Sequence, residues 1–371
     1  MIYTPRVFAL LPALLPLTGV VLVSGSLAAQ TQLVEAPAKQ TPAKDPATKV
    51  AQASVFFESQ DPIDVTFTTN IGKIRGDKGS DAPWRSATMS YSDTDGKPVS
   101  VPMKARTRGI WRLKMCDLPP MRLNFAGETS KGSIFHHLDK PKLVSYCQDR
   151  DNYEQYILEE FQLYRIYQVL TPVSHKARLL KLTYADSASG KIRAKRYGFI
   201  LEEPSAVGAR LGGKILPQKG ALPGDLEAFQ DALFSVFQYM IGNTDFSVSG
   251  LHNVELFFSN AGGISPIAYD FDFAGAVNAS YAIPDERLGL VNVRQRLYRG
   301  YCVEPAELAK VLALFEQKKA DIYALYSDPI GKLMDQGAVR STLKYYDEFY
   351  ETIGNQRAVK RSIIGACTPH P

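Results

Sequence analysis

The hydrophobic pattern of this 371-residue chain changes period once, and that change limits the fold classes open to it. Between 54 and 125 the apolar residues form short alternating runs separated by Gly, Asp and Pro, which is typical of antiparallel strands. After Pro204 they repeat at three- and four-residue steps, and the segment 226–240 predicts a buried amphipathic helix. The order of elements therefore predicts an α+β protein: a β-rich half, then a mainly helical half containing a small β insert.

One helix interrupts the β-rich half. Asp151 as N-cap with Glu154 three residues later resembles a capping box, and the helix should end before Pro172. Several of its side chains fall near helical spacing and are predicted to pack in the core: Tyr153, Tyr156, Ile157, Tyr164 and Tyr167. A hairpin formed by 178–184 and 193–201 should follow this helix.

The composition excludes several classes of protein. Apolar residues make up 45% of the chain and charged residues 22%, so it is neither disordered throughout nor collagen-like. The formal net charge of +5 is spread out, without blocks of Lys and Arg interleaved with aromatic residues. We therefore expect no nucleic-acid partner.

The N-terminal residues predict export. Arg6 is the only charged residue before Glu35, and an apolar run over 7–23 leads into the small residues of 24–29. This pattern is typical of a signal peptide cleaved after Ala29, which predicts a periplasmic or secreted protein. A retained membrane anchor is the alternative, although prolines in and beside the run disfavour it. The rest of the sequence contains no segment apolar enough to cross a bilayer, so no stable transmembrane segment is expected after cleavage.

The four cysteines are predicted to form two disulfides, because an exported chain meets an oxidising compartment. Three pairings are open, and we favour Cys116 with Cys147 and Cys302 with Cys367, since each pair lies within one half of the chain. A zinc site is the alternative, but no Cys-x-x-Cys or His-x-x-x-His spacing supports it.

Four polar residues can converge on one point. Asp245 follows the predicted helix 226–240, Asn253 precedes a short strand, and Asp270 with Asp272 follows the next strand. Such a set suits phosphoryl transfer, in which one Asp orients the attacking hydroxyl while an Asn oxygen and a second Asp hold Mg²⁺ against nucleotide phosphates. The alternative is that these residues form turns and cap the neighbouring elements.

Three stretches between about 100 and 275 resemble CotH-type kinases, the atypical protein-kinase-like family first known from spore coats, and more loosely HipA-type kinases. The first resembles the family's Arg-x-Arg-Gly and Pro-aromatic-Arg-Leu-Lys-Phe segments, the second its Tyr-x-Gly-x-Tyr-x-x-x-Glu strand, and the third its catalytic loop and Trp-Asp-x-Asp segment. They are Arg106-Thr107-Arg108-Gly109 with Pro120-Met121-Arg122-Leu123-Asn124-Phe125; Tyr197-Gly198-Phe199-Ile200-Leu201-Glu202-Glu203; and Gly242-Asn243-Thr244-Asp245 with His252-Asn253 and Tyr269-Asp270-Phe271-Asp272.

This resemblance implies a two-lobed atypical protein-kinase-like fold. A signal peptide (1–29) and a disordered linker rich in Ala, Pro and Lys (30–52) would precede a β-rich N-terminal lobe (53–203) and a mainly helical C-terminal lobe (204–371). It also implies that ATP and Mg²⁺ are the cofactors.

The resemblance assigns roles by position. Asp245 becomes the catalytic-loop Asp, Asn253 and Asp270 bind metal, and Asp272 lies beside them or at a second metal. The nucleotide-binding residues would be Lys114, Arg122, Glu154 and Glu203. Lys104 and Lys142 are alternatives for the lysine, as Glu159 and Glu160 are for the acid on the first helix. Asp245 and Asn253 are eight positions apart, farther than in related loops, so the residues around Gly250 read as an insertion.

Two clusters of arginine and one histidine have two interpretations each. Arg106 and Arg108 lie on one face of a strand, where they contact phosphate or pair with acids of the fold. A second group faces an acidic substrate or a phosphate, or else lies on a solvated helix face; its members are Arg287, Arg294, Arg296 and Arg299. His252 has no His or Cys at ligand spacing, which favours a hydrogen bond within the loop.

Two functions therefore compete. The first is an exported ATP- and Mg²⁺-dependent phosphotransferase that acts on an envelope or secreted protein. The second is a non-catalytic envelope or extracellular binding protein with the same scaffold, in which Asp270 and Asp272 are structural or bind Ca²⁺. Scarcity of ATP outside the cytoplasm favours the second. Metal-dependent hydrolysis ranks below both, because no cluster of His ligands accompanies the carboxylates.

Overall fold

The computed structural model describes residues 55–79, 81–109 and 112–369. All of them belong to one unit of the chain, Lys44–Pro371. The predicted signal peptide (1–29) and linker (30–52) lie outside the described residues. Within the described ranges, no helix combines the length and the apolar character needed to cross a membrane.

The first half of the described chain is built on a β-barrel. Its strands are β1 (Ile63–Thr69), β2 (Arg85–Ser92), β3 (Pro98–Thr107), β4 (Met121–Asn124), β5 (Lys142–Val144), β6 (Ala177–Asp186) and β7 (Ile192–Leu201). They close in the order β1-β2-β3-β4-β5-β7-β6. Neighbours are antiparallel except at the closure, where β1 runs parallel to β6 from Ile63 opposite Leu180 to Thr69 opposite Asp186.

Alternation along the strands separates two apolar clusters. On β7, Ile200 points into the barrel while Phe199 and Leu201 pack outside against the helices. Gly198 allows this close packing, since a Cβ there would lie 2.6 Å from Cδ1 of Leu182 and 2.8 Å from the carbonyl oxygen of Val144.

The helices cover the barrel and a second sheet, and the first of them adds Ile71 and Ile74 to the cluster inside the barrel. They are α1 (Ile71–Gly76), α2 (Arg112–Met115), α3 (Gly127–Ser130), α4 (Asp151–Leu170), α5 (Pro204–Arg210), α6 (Ala228–Ile241), α7 (Pro305–Ala324), α8 (Gln336–Ile353) and α9 (Gln356–Val359). The second sheet has the order β10-β9-β8 and consists of β8 (Gly213–Leu216), β9 (Val254–Ser259) and β10 (Ile264–Ala268). Helices α4, α6, α7 and α8 share one apolar cluster with this sheet.

The two-lobed kinase-like fold implied by the motifs is wrong. The described residues form a closed seven-stranded barrel with a helical part against it. The motifs are local, whereas the barrel closes through the pairing of β1 with β6, whose residues are far apart in sequence. No local pattern encodes that pairing. The boundary predicted between 203 and 204 stays a prediction.

Helix α4 follows its prediction at both ends but not at its cap. It runs from Asp151 to Leu170, and Arg150 rather than Asp151 occupies the N-cap position. The Asp151 carboxylate instead accepts a hydrogen bond from Arg196 at 2.8 Å. Core packing is confirmed for Tyr164 and Tyr167, which are both 1% exposed.

The predicted disulfides, Cys116–Cys147 and Cys302–Cys367, are confirmed. The first joins the end of α2 to the segment after β5. The second joins the segment before α7 to the C-terminal end of the described chain, where Thr368 N–H also donates to Gly300 O at 2.9 Å.

A buried acid links α4 to the turn after α7 and, through it, to α8. Glu159 of α4 accepts a hydrogen bond of 2.6 Å from the Tyr326 hydroxyl, which lies 3.0 Å from the Tyr346 hydroxyl of α8. Burial raises the pKa of Glu159 to about 8, although the bond from Tyr326 opposes the shift. The carboxyl is therefore protonated in the folded protein over a pH range in which the unfolded chain ionises it.

Replacing this acid with an amide should flatten the pH dependence of stability. Between its ordinary pKa of 4.5 and about 8, folded Glu159 holds a proton that the unfolded chain releases, so its contribution to stability falls as pH rises. Full linkage of one proton amounts to about 1.4 kcal/mol per pH unit. In urea unfolding from pH 5 to 8, the free energy of unfolding should fall less steeply with pH for Glu159→Gln than for the wild type. Glu351→Gln, on the exposed side of α8, is the control; equal slopes for all three proteins would contradict the assignment.

Candidate functional site

The hairpin of β9 and β10 brings two of the predicted residues to the same end of a sheet. Val254 pairs with Ala268, and beyond that pair Tyr269 N–H donates to Asn253 O at 3.2 Å. Asn253 thus lies immediately before β9, and Asp270 lies just past the end of β10. Antiparallel register alone places both residues at the base of the hairpin.

Asp245 reaches this point from the end of α6. Gly242 ends that helix in the left-handed conformation, with φ 67°, and a Cβ there would collide with the Tyr345 hydroxyl. Asn243 Oδ1 then accepts the Asp245 N–H at 3.0 Å. The Asn253 amide donates to the carbonyl oxygen of Asp245 at 2.8 Å and to its Oδ2 at 3.0 Å. These bonds join the loop after α6 to the β9–β10 hairpin.

The Asn253 amide is oriented by these bonds. Both donor contacts of its nitrogen are made to Asp245, so its oxygen points away from that residue. Asn253 and Asp270 both have left-handed backbones, with φ 52° and φ 63°. Non-glycine residues adopt this conformation rarely, and such positions concentrate at functional sites.

Helix α4 supports the strained backbone at Asp270. The Tyr164 hydroxyl accepts the Asp270 N–H at 2.9 Å, and the Tyr164 ring lies 4.7 Å from that of Phe271. Tyr164 is buried and also packs on Phe199 of the barrel. The position of Asp270 therefore depends on the contact between α4 and β7.

Asp272 lies behind Asp270 in a buried ionic cluster. Its Oδ2 is 3.5 Å from Arg112 Nη1 and accepts a hydrogen bond from the Tyr281 hydroxyl at 3.2 Å. Burial raises the pKa of Asp272 to about 6, and the Arg112 charge opposes this shift. Arg112 also donates to Ser145 O at 2.9 Å, and the Cys116–Cys147 disulfide lies beside it in sequence.

Glu160 of α4 belongs to the same cluster. It is fully buried, and within the described structure neither carboxyl oxygen makes a hydrogen bond. Burial raises its pKa well above the ordinary value; the charges of Asp272 and Asp270 add to this shift, while those of Arg112 and Arg108 oppose it. A neutral Glu160 avoids placing a third negative charge there.

A cleft of about 400 Å³ opens in front of Asp270. Four cationic side chains line it together with Asn253 and Asp270; they are Arg106, Arg108, Arg122 and Lys142. The Lys142 ammonium lies 3.8 Å from Glu255 and 4.0 Å from the centre of the Tyr269 ring, and burial lowers the pKa of this lysine. The cleft therefore combines positive charge with two oxygen ligands on one wall.

A second cleft, of about 540 Å³, adjoins the other residues of the loop. Asp245 and His252 line it with Arg287 and Arg299. His252 Nε2 donates to Asp245 Oδ1 at 2.8 Å. Asn253 lines the first cleft and donates a hydrogen bond to Asp245, which lines the second. This bond links the two cavities.

The structure brings together Asp245, Asn253 and Asp270, and it places Asp272 behind them. Of the predicted nucleotide-binding residues, Arg122 lines the smaller cleft and lies 3.6 Å from Glu203, whose pKa burial raises. The other two lie elsewhere.

Lys114 is exposed on α2 and does not line that cleft. Glu154 accepts hydrogen bonds from Tyr197 N–H at 2.7 Å and from Arg196 at 3.3 Å, so it fixes α4 to β7. The alternatives Lys142 and Glu160 occupy the positions beside Asp270 instead. Helical and strand spacing could not choose among these residues, because the choice depends on how α4 and β5 pack.

Two participants had no sequence signal. Arg112 follows no motif and reaches Asp272 only through packing of α2. Tyr164 reads as a core residue, and its hydroxyl bond to Asp270 depends on the docking of α4. The loop hydrogen bond predicted for His252 is confirmed by its contact with Asp245.

The donor set suits a metal that is shared with a ligand. Within the described ranges, no group of three or more His, Cys, Asp or Glu side chains is arranged to hold a metal ion. Magnesium in nucleotide sites takes only one or two protein carboxylates and fills its octahedron with phosphate oxygens and water. The Asn253 oxygen and the Asp270 carboxylate fit that requirement.

No family model matches this chain, and no curated protein sequence matches it. The chain is therefore assigned to no family.

Removing the Tyr164 hydroxyl should loosen the Asp270 backbone. In Tyr164→Phe the Asp270 N–H loses its acceptor, which should cost about 1 kcal/mol of folding stability and accelerate exchange of this amide. Hydrogen exchange measured by NMR tests the effect.

Tyr167→Phe is the matched control, because Tyr167 is equally buried on α4 but its hydroxyl donates to Pro266 O at 3.4 Å. Unchanged Asp270 exchange in Tyr164→Phe would contradict the role assigned to this hydroxyl.

Proposed function

We propose that this protein is an ATP- and Mg²⁺-dependent phosphotransferase that acts on a hydroxyl group of an envelope or secreted protein. One observation carries the proposal: a cleft with four cationic side chains, Asn253 and Asp270 is joined through a hydrogen bond to Asp245, which lines a second cleft. The smaller cleft thus offers positive charge for a polyphosphate and oxygen ligands for its metal. The larger cleft, on the other side of the Asn253–Asp245 hydrogen bond, offers a carboxylate for the acceptor.

The cations supply the binding energy for phosphates. Arg106 and Arg108 project from the end of β3 and the residue after it, while Arg122 on β4 and Lys142 on β5 face the same space. The Arg108 Nε atom is buried and has no hydrogen-bond partner within the described structure. An unpartnered buried donor is costly, and a phosphate oxygen would satisfy it with a charge-assisted hydrogen bond.

Asn253 and Asp270 would hold the magnesium ion. The ion would supply positive charge that offsets the negative charge developing during transfer. Asp270 contributes a carboxylate on a backbone held by Tyr164, and Asn253 contributes an amide oxygen directed by its bonds to Asp245. Both metal-binding side chains are therefore held in place before the metal and the nucleotide bind.

Asp245 would orient the acceptor hydroxyl. Its side chain is 42% exposed and lines the larger cleft, so an acceptor can reach it without passing through the cationic cleft. Orientation of this kind is the main contribution of protein groups to phosphoryl transfer. The motif resemblance to CotH-type kinases agrees with these roles.

Export and the envelope acceptor belong to the same proposal. Two disulfides suit an oxidising compartment, where such bonds persist. An exported phosphotransferase requires a supply of ATP outside the cytoplasm, so its nucleotide affinity is the first property to measure.

A non-catalytic ligand-binding protein is the second candidate. Both carboxylate oxygens of Asp245 already accept hydrogen bonds, from His252 and Asn253, and Asp272 is paired with Arg112. These contacts favour a scaffold in which the acids are structural and only the cationic cleft binds a ligand.

Mg²⁺-ATP should stabilise the wild type, and Asp270→Asn should lose most of that effect. At about 100 times the dissociation constant, binding adds roughly 2.7 kcal/mol, which raises the Tm by several degrees. Asp64→Asn is the matched control, since this side chain on β1 is 84% exposed and does not line the cleft. Thermal unfolding and calorimetric titration measure both effects.

Turnover measurements on the wild type and on Asp245→Asn separate the two candidate functions. Release or transfer of the γ-phosphate by the wild type, abolished in Asp245→Asn with Mg²⁺-ATP binding retained, would support the phosphotransferase. Binding without any turnover would favour the ligand-binding scaffold. No binding of Mg²⁺-ATP at millimolar concentration by a folded sample would overturn the nucleotide proposal.

A further inference from the structure

Three of the four arginines in the basic stretch before α7 bond to main-chain carbonyl oxygens of the protein. Residues 290–300 form no helix, which excludes a solvated helix face for Arg294, Arg296 and Arg299. Arg287 is exposed and pairs with Asp285, and Arg296 pairs with Glu348 at 3.3 Å in addition to its bonds to carbonyl oxygens. The acceptors of Arg299 lie in the loop that carries Asp245, whereas those of Arg294 and Arg296 lie after β10, at the end of α6 and on α8.

Two of these arginines stabilise the surroundings. Arg294 donates to Gly275 O at 3.1 Å, and Arg296 donates to Met240 O, one of the carbonyls left without a helical partner at the end of α6. Their guanidinium groups lie 4.0 Å and 3.5 Å from the centre of the Tyr345 ring. Neither residue bonds to the segment that carries Asp245.

Arg299 differs from both, because its acceptors flank Asp245. One nitrogen, Nη1, donates to Phe246 O at 3.0 Å and also to Thr244 O. The guanidinium lies 5.2 Å from the centre of the Phe246 ring, and burial lowers the pKa of Arg299. A partly buried cation is thus used to fix the residues on either side of a half-exposed carboxylate.

The support for Arg299 is rigid. Tyr298 before it is 2% exposed, and Gly300 after it lies so close to α6 that a Cβ would collide with Ser235. Thr368 N–H donates to Gly300 O, and the Cys302–Cys367 disulfide fixes the same crossing of the chain. The Arg299 backbone is therefore held on both sides.

Asp245 is constrained from every side of its loop. His252 binds one carboxylate oxygen and Asn253 the other, while Asn243 binds its N–H. His252 returns to Asp245 because the inserted residues close a tight turn, in which Ser247 and His252 exchange two backbone hydrogen bonds of 2.9 and 3.0 Å. Arg299 adds the constraint on the backbone on both sides of the carboxylate.

We propose that Arg299 is a positioning residue for Asp245, and that it acts in the transfer step rather than in nucleotide binding. This inference rests on the proposed phosphotransferase function. In that step the acceptor oxygen forms a bond to the γ-phosphorus as the bond to the bridging oxygen breaks, ADP leaves with that oxygen, and the acceptor proton passes to the Asp245 carboxylate. Small displacements of an orienting group can lower such a rate by roughly 10²-fold.

The test compares Arg299→Met with Arg296→Met. Both substitutions remove a guanidinium from the same stretch, but only the first removes donors to the carbonyls beside Asp245. With Mg²⁺-ATP as probe and water as acceptor, Arg299→Met should lower kcat by about 100-fold while the KM for Mg²⁺-ATP stays within about 2-fold. Arg296→Met should keep kcat at a temperature where both variants are folded.

Arg299→Lys distinguishes loss of the hydrogen-bond donors from a general structural effect. Lysine carries several donors on one nitrogen, so Arg299→Lys should recover part of the lost kcat. An unchanged kcat in Arg299→Met would overturn the proposal. So would equal losses in Arg296→Met, or a loss of Mg²⁺-ATP binding that accounts for the whole effect.

A spectroscopic readout separates this proposal from the phosphotransferase function. The Asp245 N–H, which donates to Asn243 Oδ1, should be protected from exchange in NMR spectra of the wild type and of Arg296→Met, and lose protection in Arg299→Met. If the wild type fails to bind Mg²⁺-ATP, the phosphotransferase function is overturned. The effect of Arg299 on the Asp245 loop is then tested by this signal alone. Equal protection in all three proteins would overturn the positioning role itself.

Discussion

The parallel ladder between β1 and β6 is the contact on which the rest of the structure depends. It closes the barrel, and closure gives β5 and β7 an inner face and an outer face. The outer face carries Phe199 and Leu201, against which α4 packs. Only from that position can Tyr164 reach the Asp270 backbone and Glu160 lie behind the candidate site. The chemistry at the hairpin base thus depends on a strand pairing distant in sequence from it.

Buried charge is concentrated behind Asp270. Asp272 and Glu160 face Arg112 in the interior, and burial shifts the pKa of each acid upward. Removing ions from water costs free energy that apolar packing would not cost, so such a cluster is weak support for stability. Its value is in geometry, because it fixes the segment that follows β10 against α2 and α4.

The two clefts divide the work that the proposed reaction needs. The smaller one offers positive charge and oxygen ligands, and the larger one offers an exposed carboxylate. Asn253 connects the two clefts, since it lines the smaller one and bonds to Asp245, which lines the larger one. Arg299 before α7 holds the loop that carries Asp245 by donating to the main-chain carbonyls on either side of it.

The sequence by itself determined the elements and part of the site. Helical spacing defined α4 and α6, the cysteines paired as predicted, and loop residues Asp245, Asn253 and Asp270 meet at one hairpin base. These features depend on local periodicity, on turns and on antiparallel register, which neighbouring residues encode.

Tertiary structure alone decided the barrel and the partners of that site. Closure through β1 and β6 overturned the two-lobed fold. The docking of α4 and β5 brought Glu160 and Lys142, rather than Glu154 and Lys114, beside Asp270. Residues of equal local character differ only in which face packs inward, and that choice is made by contacts between segments distant in the chain.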